Sequence, residues 1–192
     1  MLIDQWLGLY LSIITLYSLY ILIPAAFRFK SLMLSLFSIS ALSFFVSSII
    51  VIFELEGREW ANLSSIIFTL CGLFAFIRDS KPIFARFPTY FSFLPLISFV
   101  FYPIIMNSQV IENLVIATYQ GGAIIVGLLI ASLHQIKNKS RFLLFIGMVL
   151  FLISYLVFWF INGYESISRL MVGVSIIITS LGLIQTFNKN FK

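Results

Sequence analysis

Long apolar runs alternate with short polar connections along nearly the whole chain, at residues 2–26, 31–53, 60–77, 87–106, 113–134, 142–161 and 167–187. Each run approaches the ~20 residues that a helix needs to cross a hydrocarbon core ~30 Å thick. An unpaired backbone amide or carbonyl in hydrocarbon costs several kcal/mol, so these runs must be helices or a closed barrel, and their length selects helices. The pattern predicts an all-α fold, a seven-transmembrane-helix bundle forming one domain over residues 1–192. The first run is expected to be retained rather than cleaved as a secretory signal. It opens on Asp4 without a Lys or Arg, is long, and is followed by Arg28 and Lys30.

Composition supports the same class. With 61% hydrophobic and 10% charged residues and a mean hydropathy of +1.09, the chain has too little polar surface to wrap a water-soluble globule. Cys71 is the single cysteine, which excludes a disulfide framework and a cysteine-based zinc site. The connections are too short to hold a soluble catalytic module.

The charges are sorted by connection. Arg28, Lys30, Arg78, Lys81, Arg86, Lys137, Lys139, Arg141, Lys189 and Lys192 gather on one side, leaving Arg58 and Arg169 on the other. Asp4, Glu54, Glu56, Glu59, Glu112 and Glu165 share that second side, and Trp6, Trp60 and Trp159 mark its boundary. Lys and Arg in short loops stay cytoplasmic, so the N-terminus is predicted outside and the C-terminus inside, in a plasma or bacterial inner membrane. The net charge of +5 is then a topology and lipid-headgroup signal, and no nucleic-acid partner is expected.

Two internal matches point to duplication. Residues 65–74 laid over 175–184 agree at six of ten positions, including Ser65 with Ser175, Thr69 with Thr179 and Gly72 with Gly182. At a shift one residue shorter, the basic-Ser step Lys30-Ser31 falls over Lys139-Ser140. Helices one to three would then repeat as five to seven, in a parallel 3+1+3 order with any binding site between the halves.

The three-one-three order, with Pro24 before Lys30-Ser31 and His134-Gln135 before Lys139-Ser140, resembles the PQ-loop family, which includes the SWEET sugar facilitators. That resemblance implies a facilitator, although neither copy holds an intact Pro-Gln pair. Over the last two helices, Phe145-Ile146-Gly147, Phe151-Leu152-Ile153-Ser154 and a closing helix near Gln185 resemble the lysoplasmalogenase-type membrane family. That family commonly has an Asp after the Ser, where this chain has Tyr155, so the resemblance implies a lipid hydrolase that has lost its chemistry.

Chemistry must come from what polarity the helices retain. No carboxylate sits in the middle of any run, which argues against ion or proton coupling. One His and no cluster of carboxylates leave no metal site, and no cofactor is expected. The serines of the second helix (Ser35, Ser38, Ser40, Ser43, Ser47, Ser48) and the Ala123, Gly127, Ala131 stripe read as packing faces. His134 reads as a cap at the inner end of the fifth helix, and the Asn62-Leu63-Ser64 glycosylation pattern as chance. The candidate ligand-binding residues are Tyr119 and Gln120, beside the paired Gly121 and Gly122, with Ser154, Tyr155 and Gln185.

Two readings follow. The first is a facilitator or binding protein, not ion-coupled, for a small neutral or amphipathic molecule. It predicts a central cavity lined by Tyr119, Gln120 and residues of helices six and seven. The second is a non-catalytic subunit or sensor, packing through its Ser and Gly faces against a membrane protein partner or a second copy. Membrane lipids are partners in both.

Overall fold

The computed structural model describes residues 3–80, 86–105, 108–137 and 142–190. Its helices are α1 (Ile3–Phe29), α2 (Leu32–Phe53), α3 (Arg58–Ser80), α4 (Ser98–Ile105), α5 (Gln109–Lys137), α6 (Phe142–Phe160) and α7 (Glu165–Asn190). A 3-10 segment, Thr89–Ile97, leads into α4. The described residues contain no strand, and every helix but α4 is long and apolar enough to cross a membrane.

Local chemistry sets the breaks. Lys30 takes a left-handed conformation (φ 46°) between α1 and α2, and the Ser31 hydroxyl then caps α2 by accepting from the Leu34 amide at 3.4 Å. At the far end Glu54 is left-handed too, and its amide closes α2 by donating to the Ile50 carbonyl. The lysine-serine step is therefore the turn itself. Pro24 does not close α1, as the PQ-loop resemblance would have it. It lies inside the helix, which continues to Phe29, because neighbouring helices in a bundle tolerate the missing amide. The α5 backbone likewise runs past His134 and Gln135 to Lys137. The side chains of His134 and Gln135, and Lys139, Ser140, Lys81, Arg141 and Lys192 altogether, lie outside the described residues.

The fourth apolar run departs from the single helix expected over residues 87–106. It is divided between the 3-10 segment and the eight-residue α4. Pro95 has no amide to donate and its ring collides with the carbonyl four residues back, and Pro88 and Pro103 bracket it. The run still traverses the bundle. A rise of ~2.0 Å per residue in 3-10 and ~1.5 Å in α geometry carries it about 30 Å. Its contacts follow α3 backwards: Arg78 Nε donates to the Phe87 carbonyl, Phe99 meets the Phe68 ring, and Tyr102 meets the edge of Trp60 at 4.8 Å.

The other six helices form a closed ring in which α1, α2, α3, α5, α6 and α7 each touch the next, and α7 returns to α1. Neighbouring helices within α1–α3 and within α5–α7 are antiparallel. Across the junctions they are parallel, since Arg169 near the start of α7 pairs with Asp4 at the start of α1. At the other junction, Tyr102 connects the starts of α3 and α5 through Trp60 and Glu112. One end of the ring thus gathers the tryptophans and the acidic residues other than Asp79, and the opposite end holds Arg28, Arg78 and Asp79.

Large apolar side chains cover the outside of the bundle, and hydroxyls lie buried among the apolar side chains of its interior. Tyr20, Phe27, Val100 and Phe160 each expose more than 70% of their surface outward, whereas Thr15, Ser40, Ser47, Ser154, Ser168 and Ser175 are buried. A protein folded in water would reverse that distribution; one folded in lipid has no reason to. Many buried hydroxyls return to the carbonyl four residues earlier, as Ser12 does to Gly8, Ser38 to Leu34 and Thr186 to Gly182.

A candidate ligand site at the centre of the helix ring

The ring surrounds a partly open cavity of about 350 Å³. All six ring helices line it and the fourth run does not, because that run packs outside against α3 and α5. Toward the basic end the wall is apolar, with Leu22, Leu73, Phe76, Ile130, Leu144 and Leu183. Toward the acidic end it becomes polar.

The polar part is built by links between helices. The Ser40 hydroxyl of α2 reaches the Ser65 carbonyl at 2.8 Å and the Thr69 hydroxyl at 2.7 Å on α3. Ser47 donates to Asn62 Oδ1 at 2.6 Å. Across the ring, Ser154 of α6 and Ser168 of α7 each donate to the other's carbonyl at 2.8 Å. Trp159 Nε1 donates to Gln120 Oε1 at 3.2 Å, and the Tyr155 hydroxyl donates to the Ala117 carbonyl at 3.2 Å. Gly121 makes room for that tyrosine, because a methyl there would meet its hydroxyl at 3.1 Å.

Of the candidate residues named from the sequence, Gln120, Ser154 and Tyr155 line the cavity. Tyr119 and Gln185 do not. One residue along a helix is about 100° around it, so Tyr119 faces away from Gln120 and its hydroxyl bonds Ser98 at 2.7 Å. Gln185 lies toward the basic end of α7, where its Oε1 is buried with no bonded partner among the described residues. The small-residue stripe of α5 packs as expected at Gly127, against Met148 of α6. Asn62 turns inward to line the cavity, away from any glycosylating enzyme.

Two lining residues escaped the sequence reading: Arg58, the first residue of α3, and Arg169 of α7. Charge sorting treats them only as exceptions. That exception was itself the available signal, since two cations held on an end that topology otherwise clears of them need a local reason. Among the described residues no three of His, Cys, Asp and Glu come together.

Compared with family models, curated proteins and solved structures, the chain matches none. The two family resemblances accordingly rest on the short residue runs that carry them, and function must be argued from the cavity.

Proposed function

We propose that the protein binds, or passes across the bilayer, a small neutral or amphipathic molecule in the central cavity, with the acidic end outside the cell and the basic end in the cytoplasm. The cavity carries this reading: a space of about 350 Å³ lies where the two three-helix halves meet, within the range of about 300–1,000 Å³ found for small-molecule sites. Its wall combines apolar side chains with a few hydroxyls and amides, the usual division between affinity and orientation. The helix junctions favour the 3+1+3 duplication. A two-fold axis along the membrane normal would carry α1 onto α5 and α7 onto α3, and so exchange the parallel α1–α7 and α3–α5 junctions. The sorted charges favour the orientation.

The alternative of a subunit docking through its Ser and Gly faces gains nothing from those faces. Ser40, Ser47, Gly127, Gly147 and Gly182 all pack on helices of this same chain. A hydrolase built on Ser154 is no better supported, because that hydroxyl is engaged with Ser168 rather than with a base.

The test is cavity filling. In full-length protein reconstituted into phosphatidylcholine nanodiscs, a panel of single-chain amphiphiles, including monooleoylglycerol, is expected to contain members that raise the unfolding temperature by several degrees. Ala123→Trp should abolish that rise by occupying the wall of the cavity. A panel with no stabilising member, or a rise that persists in Ala123→Trp, would reject the central site.

A further inference from the structure

Among the described residues, the charged side chains that line the cavity are Arg58 and Arg169, and both are cations at its acidic end. The carboxylates near them, Asp4 and Glu59, are not part of the cavity wall. Arg169 donates from Nη1 to Asp4 Oδ1 at 2.5 Å, but that carboxylate is 67% exposed while the arginine is 20% exposed. The anion sits on the solvent side and the guanidinium on the cavity side. Arg58 makes no hydrogen bond or ion pair among the described residues. Arg169, Glu59 and Asp4 are the charges near it.

The neighbouring amides add donors. Asn62, one turn below Arg58, has its oxygen occupied by Ser47, and Gln120 has its oxygen occupied by Trp159. Each keeps an NH₂ group with no bonded partner among the described residues. The acidic end therefore offers two guanidinium groups and two amide donors without a lining carboxylate to answer them. Below it the wall passes through Leu11, Ile66, Met148 and Ile176 to Leu183. Two half-buried guanidiniums near one another are costly unless an anion joins them, and the planar fork of arginine matches a carboxylate or phosphate with two bonds.

We propose that the cavity holds a single-chain amphiphile with an anionic head, a carboxylate or a phosphate, gripped between Arg58 and Arg169 with its hydrocarbon chain along the apolar wall. This rests on the central cavity being the ligand site and assigns its ligand class. The volume admits one acyl chain rather than the two of a bilayer phospholipid.

Radiolabelled oleate binding to the full-length protein in phosphatidylcholine nanodiscs tests it, with unlabelled competitors. Oleate and oleoyl lysophosphatidate should compete at least tenfold better than oleyl alcohol. Acetate and inorganic phosphate at the same concentrations should not compete, which separates a lipid head from a free anion. Arg58→Gln should weaken oleate binding at least tenfold and narrow the preference for oleate over oleyl alcohol, with Arg58→Lys partly restoring both. Should Arg58→Gln fail to fold, the preference of the unaltered protein for oleate over oleyl alcohol still decides. Equal competition by oleyl alcohol would overturn the anionic head while leaving the cavity site standing. Competition by acetate or phosphate alone would overturn the amphiphile. No saturable oleate binding would overturn the proposal, and if monooleoylglycerol also failed to stabilise the protein, the central site would fall with it.

Discussion

The seam between α2 and α3 and the seam between α6 and α7 are both bridged by hydroxyls, yet only the second also brings backbone against backbone. In the first, side chains fill the space and hydroxyls bridge it, with Ser40 contacting both Ser65 and Thr69 and Phe37 covering Gly72. In the second, Ser154 and Ser168 bridge the acidic end, and toward the basic end backbones touch. A methyl on Gly147 would lie 2.8 Å from the Thr179 amide nitrogen, and one on Gly182 would lie 2.5 Å from that of Leu144. Hydrogen bonds between membrane helices average only about 0.6 kcal/mol because the separated helices find other partners, whereas close packing gains dispersion over many atoms at once. A hydroxyl-bridged seam can lose one bridge. A backbone-to-backbone seam cannot admit one methyl.

The largest effect that separates them is therefore expected at Gly182→Ala. Main-chain atoms of α6 must retreat, at a cost of about 3 kcal/mol, the upper part of the usual overpacking range. Denaturant titration of the purified protein in mixed micelles should show it, and an unchanged midpoint would remove the contrast. Next comes Ser40→Ala, which deletes the bridge from α2 to Ser65 and Thr69. A loss of about 0.6 kcal/mol is expected in the same titration, and a loss as large as that at Gly182 would mean that hydroxyls dominate both seams. The smallest effect is expected at Gly72→Ala, although Gly72 and Gly182 are aligned by the internal match. The new methyl would meet Phe37 ring atoms at 3.2 Å, and a ring can shift where a backbone cannot. The helix gains up to about 1 kcal/mol from replacing glycine, so the net change should stay within about 0.5 kcal/mol of zero. The two alanine variants of aligned glycines thus provide the sharpest test.

The chain announced its helices clearly and its contacts poorly, for a physical reason. Hydropathy records the part of a helix immersed in hydrocarbon, so the apolar core of every ring helix was legible. The ends were not, and α5 extends from Gln109 to Lys137 where the apolar run covered 113–134. Pro88, Pro95 and Pro103 stood in plain view in the fourth run, yet mean apolarity is blind to which amides can bond, and the 3-10 geometry went unseen. The site was legible by residue type more than by position. Gln120 and Tyr155 reach the cavity, while Tyr119 misses it through a rotation of one residue. Arg58 and Arg169 were passed over because charge sorting treats cations as topology markers and says nothing of what they face.

Closure of the ring by α7 against α1 has a consequence for biogenesis. Synthesis proceeds from the N-terminus, so α7 leaves the ribosome after the other six elements and meets a helix that has waited in the bilayer throughout. Until then Asp4 has no Arg169, Ser154 has no Ser168, and the flank of α1 that carries Tyr10 and Ile14 against Gly173 faces lipid. The ring is the last thing to be made, and a nascent chain halted before α7 inserts is an open trough.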